Sequence, residues 1–216
     1  MRTCPICQTD KPNIINPRYA YDGGFAFGLF GCRNCGMVFV DAPSLQPEWF
    51  QHYYTILYHP SDGPYSANRL DNLADCVAGY HPETILDIGG LDGDLQQRLQ
   101  RRGLTCESDG VIPTKTGKYD AVVLSHTLEH VYDVPGMMDR IRANVSRFLF
   151  LEVPIWLPEA DREYDHHWQH INKFTPFHLD KLMLAHGFKV LESRQIDDYL
   201  EYHVWRMVAR LGDPLS

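Results

Sequence analysis

With 216 residues and a 44% hydrophobic fraction, the chain can form one full-sized globular domain and a small one. Its formal net charge of −8 argues against a nucleic-acid surface, because phosphate binding needs a basic stripe. The sequence has no apolar run long enough to cross a bilayer, so no membrane partner is expected.

Two Cys-x-x-Cys pairs open the chain, Cys4–Cys7 and Cys32–Cys35. Each such turn points two thiolates at one centre, and two turns give the tetrahedral four-sulfur shell that Zn²⁺ prefers. The spacing suits a zinc ribbon of two knuckles and a hairpin. Gly36 follows the last cysteine, where a knuckle needs a residue that tolerates positive φ. Four thiolates leave no open position, so the predicted zinc is structural.

The alternative for these cysteines is a pair of disulfides. No charged-then-apolar secretory signal precedes Cys4, so we expect a cytoplasmic protein with reduced thiols. We predict a zinc-ribbon domain over residues 1–44, a helical linker over 45–81 and an α/β domain over 82–216. The linker carries several tyrosines, which we expect to pack the ribbon onto the next domain: Tyr53, Tyr54, Tyr58 and Tyr65.

Apolar periodicity and turn residues predict the elements in chain order. In the ribbon, a turn is expected over Tyr21–Gly24 and a strand over Met37–Val40, followed by helical pieces over 46–80. The α/β domain is predicted to contain strands at Thr84–Asp87, Thr105–Glu107, Tyr119–Ser125, Phe148–Val153, Phe188–Leu191 and Val204–Ala209. Helices are predicted from Asp92 to Arg102, from about Pro135 through an apolar stripe that ends at Val145, and from Thr175 to Gly187. This alternation predicts a doubly wound α/β fold.

A glycine-rich turn over residues 87–93, DIGGLDG, follows the first strand of this domain. Ligands of doubly wound folds bind at the carboxyl ends of the strands. Glycines let the backbone approach a ligand closely and leave amides available at the start of the helix. The turn therefore predicts a cofactor site, and the alternative is an ordinary glycine-rich βα loop.

Two segments resemble the class I S-adenosylmethionine-dependent methyltransferases. Residues 85–94, ILDIGGLDGD, are similar to the family's first motif, Leu-Asp-x-Gly-x-Gly-x-Gly. Residues 119–131, YDAVVLSHTLEHV, are similar to its fourth strand and the Leu-Glu-His signature that follows. The resemblance implies a Rossmann-like core that binds S-adenosylmethionine. The cofactor-binding residues that it implies are Asp87, Gly89, Gly90, Gly93, Ser125 and His126.

The family usually holds the ribose hydroxyls with a carboxylate at the end of the second strand. Glu107 and Asp109 are the candidates, and we favour Glu107, although a solvated strand end is the alternative. Only residues 110–118 precede the next strand, where the family usually has a further helix and strand that help to cover the adenine. The core is therefore predicted to be trimmed after its second strand, with an open adenine pocket.

Histidines concentrate in residues 164–175, which contain His166, His167 and His170. Histidine titrates near neutrality and is the natural proton-transfer group. Three histidines also indicate a metal site if a further ligand such as Asp165 joins them. The third interpretation is a polar loop whose histidines form local hydrogen bonds.

A ribbon followed by this core is similar to the first half of the sugar C-methyltransferases and to shorter relatives from polysaccharide and natural-product pathways. Those enzymes carry Tyr-x-Glu-His before a Phe-Ser/Thr helix start. Aligned on Phe174-Thr175, His170 matches the basic histidine, while Gln169 replaces the glutamate and His167 the tyrosine. The resemblance implies removal of a proton next to a sugar ketone and methylation of the enolate carbon.

The predicted function is S-adenosylmethionine-dependent methyl transfer to a small-molecule acceptor, a sugar or sugar nucleotide, in sugar biosynthesis. His170 is the preferred general base, with His167 or His126 next. Glu129 and His130 are expected to brace the loop after the fourth strand. The alternative is a non-catalytic or repurposed scaffold whose ribbon contacts another protein, which the short segment after Glu107 favours.

Overall fold

The chain folds around two β-sheets in the computed structural model, which describes residues 3–10, 12–22, 25–41, 64–90, 93–111, 113–156, 170–196 and 203–212. The strands are β1 (Pro12–Asp22), β2 (Phe25–Cys32), β3 (Val38–Asp41), β4 (Thr84–Ile88), β5 (Thr105–Asp109), β6 (Tyr119–Ser125), β7 (Val145–Pro154), β8 (Asn172–Lys173), β9 (Phe188–Ile196) and β10 (Val204–Leu211). The helices are α1 (Pro64–Gly79), α2 (Asp94–Arg101), α3 (Val134–Asn144) and α4 (Pro176–Ala185), and a 3₁₀ turn spans Leu128–His130.

The smaller sheet is antiparallel and has the order β1-β2-β3-β8. Its first three strands come from the cysteine-containing N-terminal region, but β8 comes from the segment just before α4. The register pairs Val38 with Lys173 and Phe39 with Asn172. The predicted turn over Tyr21–Gly24 was wrong at its start, because Tyr21 and Asp22 belong to β1 and Asp22 pairs with Phe25.

The larger sheet has the order β5-β4-β6-β7-β10-β9. Strands β5, β4, β6 and β7 are parallel, while β10 runs antiparallel to both β7 and β9. This confirms the doubly wound α/β prediction. Within the described ranges β5 is the edge strand, next to β4, as expected for a core trimmed after its second strand.

Turn chemistry sets the ends of the helices. Gly93 precedes α2 with φ 70°, and Gly103 follows its last turn with φ 78°, both in the left-handed region that favours glycine. The Asp133 side chain accepts a hydrogen bond from the Gly136 amide and caps α3. Val145, predicted to be the last residue of the apolar stripe of α3, is instead the first residue of β7, because its backbone has an extended conformation.

One apolar cluster joins the two sheets. It includes Phe30, Met37 and Phe39 of the small sheet together with Leu128 and Phe174 of the α/β part, all nearly inaccessible to solvent. The small sheet is therefore packed against the carboxyl-edge loops of the large sheet through shared apolar area, the main stabilising term in folding.

A second apolar cluster lies between the large sheet and helices α1 and α2, and includes Leu73 and Leu99. Ion pairs tie the two helices together, with Arg98 Nη1 2.6 Å from Asp71 and Arg102 Nε 2.7 Å from Asp75. Tyr53, Tyr54, Tyr58 and the side chain of Tyr65, predicted to pack the ribbon, lie outside the described residues. In the described parts of the chain, no helix has the length and apolarity needed to span a membrane.

Candidate active site

The glycine turn lies at the carboxyl end of β4, in the centre of the parallel strands. Two positions in it accept no side chain. A Cβ atom on Gly89 would lie 2.3 Å from Thr127 Oγ1, and one on Gly90 would lie 2.0 Å from Asp87 Oδ2. Gly89 also has φ 88°, which disfavours any other residue. The two glycines therefore let the side chains of Thr127 and Asp87 pack directly against the backbone of the turn.

Three neighbouring strand ends are hydrogen-bonded to one another around this turn. The Thr127 hydroxyl donates to the carbonyl oxygens of Ile88 at 3.1 Å and Ser125 at 3.2 Å, which joins the ends of β4 and β6. The Gly89 amide donates to the carbonyl oxygen of Asp109 at 2.9 Å, which joins the turn to β5. The structure therefore brings together the predicted residues Asp87, Gly89, Gly90, Ser125 and His126 at one edge of the sheet.

The two predicted ribose-binding carboxylates differ in their surroundings. Asp109 is level with Ile88 in the β4–β5 register. Its carboxylate accepts hydrogen bonds from the backbone amides of Gly110, Thr114 and Lys115 at 2.7–2.9 Å. Burial acts to raise the pKa of Asp109, but these amides outweigh it and lower the pKa overall. Asp109 thus stabilises the conformation of the loop that follows β5.

Glu107 lies two residues earlier on β5, level with Leu86. Its side chain is 51% exposed and its Oε2 atom lies 2.7 Å from Lys115 Nζ. The hydrogen bond from Lys115 lowers the pKa of the Glu107 carboxyl. Glu107 is therefore an accessible, ionised carboxylate near the same edge, with one surface ion pair.

A buried network of charges lies beneath the ends of β6 and β7. Glu152 of β7 is fully buried, and its Oε1 atom accepts a hydrogen bond from Arg206 Nε of β10 at 2.8 Å. Its Oε2 atom lies 2.6 Å from Arg69 Nη1 of α1, and the same Nη1 atom donates to the Ser125 hydroxyl. Two arginines thus pair with the carboxylate, and Arg69 alone also holds Ser125, which the resemblance places beside the cofactor.

The sequence analysis did not predict this network of buried charges. The signal was present, because Glu152 and Arg206 interrupt two otherwise apolar strand segments, 148–153 and 204–209. A charged residue inside a central strand requires a buried partner of opposite charge. Arg69 offered no such signal, since it lies in a polar stretch of α1.

His126 directly follows β6 in a strained backbone conformation. Its φ is 50°, and its amide donates to the carbonyl oxygen of Glu152 at 2.8 Å. Non-glycine residues in this region are uncommon and concentrate at functional sites. Burial is the largest cause that lowers the pKa of His126, followed by the charges of Arg69 and His130. His126 is neutral at neutral pH, which is the form that accepts a proton.

Glu129 occupies the centre of the loop after β6. Its side chain has no solvent exposure, and within the described ranges neither carboxylate oxygen has a hydrogen-bond partner. His126 Nδ1 lies 3.8 Å and His130 Nε2 lies 3.6 Å from Glu129 Oε1. Burial raises the pKa of Glu129 to about 8. In the part of the chain that the structure describes, the Glu129 carboxylate therefore accepts no hydrogen bond that would support the expected bracing role.

The small sheet brings His170 to this loop. Asn172 of β8 donates from Nδ2 to the carbonyl oxygens of Leu128 at 3.0 Å and Val131 at 2.7 Å, which holds the 3₁₀ turn. Two residues earlier, the His170 ring packs edge-on against His130 with 5.0 Å between ring centroids. His166, His167 and Asp165 lie outside the described residues.

The four N-terminal cysteines converge. The distance between Sγ atoms is 3.5 Å both for Cys4–Cys35 and for Cys7–Cys32, and all four sulfurs lie within 4.8 Å of one another. Sulfurs bound to one tetrahedral zinc at about 2.3 Å lie about 3.8 Å apart, so the cluster fits that ion. None of the four forms a disulfide.

The two cysteine turns have the same backbone design. The Gly36 amide donates to the Cys32 carbonyl oxygen at 2.8 Å, and the Gln8 amide donates to that of Cys4 at 2.9 Å. Both residues have positive φ, 77° for Gly36 and 56° for Gln8. The predicted conformation of Gly36 is confirmed, and Gln8 adopts it without the freedom of glycine.

A protein-family model described as "Methyltransferase domain" matches residues 58–193, more than half of the chain. A search of curated proteins gave no match.

Solved structures with the same fold have low sequence identity to this chain. The 1,6-didemethyltoxoflavin-N1-methyltransferase of Burkholderia thailandensis, solved with its substrate and S-adenosylhomocysteine, is 17% identical with a TM-score of 0.61; the match covers 94% of this chain and 100% of that one. The mitomycin 7-O-methyltransferase MmcR is 16% identical with a TM-score of 0.61, over 79% of this chain and 62% of that one. The magnesium protoporphyrin IX methyltransferase of Synechocystis PCC 6803, solved with S-adenosylmethionine, is 13% identical with a TM-score of 0.53, over 79% and 99%.

These structures share the fold of this chain, and the family match over residues 58–193 identifies its family. The chain belongs to the methyltransferase domain family and is a class I S-adenosylmethionine-dependent methyltransferase.

Proposed function

We propose that the enzyme transfers a methyl group to a small polar acceptor, a sugar or sugar nucleotide. The observation that carries the proposal is the convergence of the glycine turn, the Ser125–His126 pair and His170 around the carboxyl edge of the parallel strands. This is the edge at which doubly wound folds bind their ligands.

The residues at this edge fit the methionine end of S-adenosylmethionine. Gly89 and Gly90 let Thr127 and Asp87 pack closely against the turn, and Arg69 fixes the Ser125 hydroxyl at the neighbouring strand end. We assign Asp87, Gly89, Gly90, Gly93, Ser125 and His126 to cofactor binding. When bound, S-adenosylmethionine supplies an electrophilic methyl group.

For the ribose we propose Glu107, with Asp109 as the alternative. Glu107 is accessible and ionised, whereas Asp109 already accepts several backbone hydrogen bonds. Replacing Glu107 with Gln should weaken S-adenosylmethionine binding about 10-fold or more, the effect of one charge-assisted hydrogen bond. If Asp109→Asn alone weakens binding in a stably folded protein, the assignment moves to Asp109.

We propose a histidine as the general base that accepts the proton of the acceptor. His126 and His170 are the described candidates, and both lie near Glu129: His126 Nδ1 is 3.8 Å from Glu129 Oε1, and a ring nitrogen of His170 is within 4.8 Å of a Glu129 carboxylate oxygen. His167, the third candidate, stays a prediction from sequence. Replacing the base with Ala should reduce turnover by about 100-fold or more while S-adenosylmethionine affinity is kept.

The sugar class is supported by the resemblance to sugar C-methyltransferases in the order of ribbon and core. The acceptors named for structurally similar enzymes, 1,6-didemethyltoxoflavin and magnesium protoporphyrin IX, are also small molecules and differ widely. The acceptor is therefore identified by a screen that begins with keto-sugar nucleotides and continues to heteroaromatic alcohols and amines.

For the cysteine cluster we propose a structural Zn²⁺ held by Cys4, Cys7, Cys32 and Cys35 in a ribbon domain over residues 1–44. The proposed linker spans 45–81 and the methyltransferase domain 82–216. The sulfur separations support zinc, and the closed four-thiolate shell excludes a role in methyl transfer. Such a site needs reduced thiols, which agrees with a cytoplasmic protein.

Calorimetric titration of the zinc-loaded protein with S-adenosylmethionine and S-adenosylhomocysteine tests the cofactor site. We expect micromolar binding of both, lost in Gly89→Ala and kept in Gly103→Ala, whose glycine also has positive φ but no atom within 4 Å of its Cβ position. Absence of binding by the folded wild-type protein would favour the repurposed-scaffold alternative, for which the edge position of β5 is the supporting observation.

A further inference from the structure

We propose a second metal site, formed by Glu129, His130 and His170, that binds a first-row divalent cation such as Co²⁺, Mn²⁺, Fe²⁺ or Zn²⁺. One carboxylate and two imidazoles form a ligand set used by open catalytic metal centres, with positions left for water or substrate. The site is separate from the cysteine cluster, whose four sulfurs form a closed shell.

The first argument is geometric. One ligand atom from each of the three side chains lies within 4.8 Å of the others, and Glu129 Oε1 is 3.6 Å from His130 Nε2. Ligand atoms about 2.1 Å from a common metal lie about 3.0–3.4 Å apart in octahedral or tetrahedral geometry. The Glu129–His130 separation is within a few tenths of an ångström of that range.

The second argument is the environment of Glu129. Its side chain is fully buried, and both oxygens lack a hydrogen-bond donor among the described residues. Most buried polar atoms in proteins are hydrogen-bonded, and an unpaired buried carboxyl group is costly whether it is ionised or protonated. The neighbouring cation, Arg69, uses Nη1 to bind Ser125 and Glu152. A metal ion bound to Glu129 removes this deficit, because it supplies both charge and ligand bonds.

The third argument is how the fold holds the ligands. The 3₁₀ turn presents Glu129 and His130, and Asn172 fixes the carbonyl oxygens on both sides of them. The segment that carries His170 is held by β3, since the Val40 amide donates to the Ile171 carbonyl oxygen at 2.8 Å. Ligands on independently fixed segments form a preorganised site.

The position of the site indicates its use. Glu129 and His130 follow Ser125 and His126, the residues assigned to the cofactor edge, by a few positions. A cation with open positions there can bind an acceptor oxygen and lower the pKa of the hydroxyl or of the adjacent carbon acid. In this arrangement His170 is a metal ligand, and His126 is the base. This assignment rests on the proposed function, but metal binding itself is measured without any methyl acceptor.

The test is a Co²⁺ titration of full-length protein whose cysteine site has first been filled with one equivalent of Zn²⁺. We expect one further equivalent of Co²⁺, with weak d–d absorption and no thiolate-to-metal charge-transfer band. Metal analysis after desalting should give one Zn²⁺ and one Co²⁺ per chain. Absence of a second equivalent, or a charge-transfer band showing cobalt on the cysteines alone, would overturn the proposal.

Variants identify the ligands. Glu129→Gln is nearly isosteric and neutral, as protonated Glu129 is, so the metal-free protein should melt at about the same temperature as wild type. Its Co²⁺ affinity should fall at least about 100-fold, since even loss of a partner outside the ligand shell costs 10–100-fold. His130→Ala should show the same loss, and the exposed control Glu83→Gln should keep wild-type affinity. Full Co²⁺ affinity in folded Glu129→Gln would refute the site whatever the outcome of the cofactor titration.

Discussion

His178 Nε2 of α4 lies 3.0 Å from the carbonyl oxygen of Cys35, one of the four clustered cysteines. The other ring nitrogen, Nδ1, accepts a hydrogen bond from the Thr175 amide at 3.3 Å, so Nε2 carries the proton and donates to Cys35. The neutral ring thus caps α4 and binds the second cysteine turn at once. Methyltransferase core and cysteine cluster are joined by this contact in addition to apolar packing.

Replacing His178 with Leu should lower the free energy of unfolding by about 1–3 kcal/mol, because the Cys35 carbonyl and the start of α4 lose a partner. Zinc transfer to a chromophoric chelator should also become faster than in wild type. Asp180→Leu, an exposed change on the same helix, is the control for helix effects. Equal zinc-release rates in wild type and His178→Leu would show that the contact does not restrain the cysteine turn.

The buried pair Glu152–Arg206 predicts a large effect from removing one partner. Arg206→Met leaves Glu152 buried with only Arg69, which should cost about 3–5 kcal/mol in urea denaturation. The matched control is Arg194→Met, because Arg194 pairs with Arg206 in the β9–β10 register but its side chain is 59% exposed. A loss below about 1 kcal/mol in Arg206→Met would mean that Arg69 alone compensates the carboxylate.

Local sequence signals were sufficient where a feature is built from neighbouring residues. The strand before Gly89, the helix after Gly93 and the two cysteine turns depend on short-range spacing, and each was predicted. The carboxyl ends of the parallel strands β4, β5 and β6 lie at one edge of the sheet, so the proximity of the strand ends that carry Asp87 and Ser125 was also predictable.

Other features depend on contacts between distant segments. Strand β8 has two residues and forms because β3 pairs with it. The strand propensity of so short a segment does not predict this pairing. The same pairing brings His170 close to Glu129. The sequence analysis instead considered His166 and His167 as the other ligands of a metal bound to His170. The sequence does not show that Glu129 is buried without a hydrogen bond to its carboxylate among the described residues. From the sequence, Glu129 was therefore interpreted as a brace for the loop.

Gly89→Ala should be more destabilising than Gly103→Ala by about 1–3 kcal/mol. Both residues have positive φ, which costs roughly 1–2 kcal/mol for any residue with a Cβ. Only at Gly89 does the new atom also meet Thr127, at 2.3 Å, which adds an overpacking cost of about 1–3 kcal/mol. Thermal unfolding of the two variants in parallel measures the difference, and equal melting temperatures would show that Thr127 moves away without cost.

Asp109 predicts a pH-dependent contribution to stability. Its pKa in the folded protein is lowered below the ordinary value of 3.8 by the net effect of burial and the backbone amides of Lys115, Gly110 and Thr114. The ionised form therefore stabilises the fold above pH 3.8, and this stabilisation is lost as the pH falls through the lowered value. At neutral pH, Asp109→Asn should cost about 1–3 kcal/mol, because the Asn amide nitrogen accepts no hydrogen bond from Thr114 or Lys115.

The measurement is the unfolding free energy of wild type and Asp109→Asn by urea titration from neutral pH downward. The difference between the two proteins should shrink below pH 3.8, because protonated Asp109 and Asn then resemble each other. The cysteine cluster titrates equally in both proteins and cancels in the difference, and exposed Asp180→Asn should match wild type at neutral pH. A difference that stays constant through acid pH would mean that Asp109 acts through shape and not through its charge.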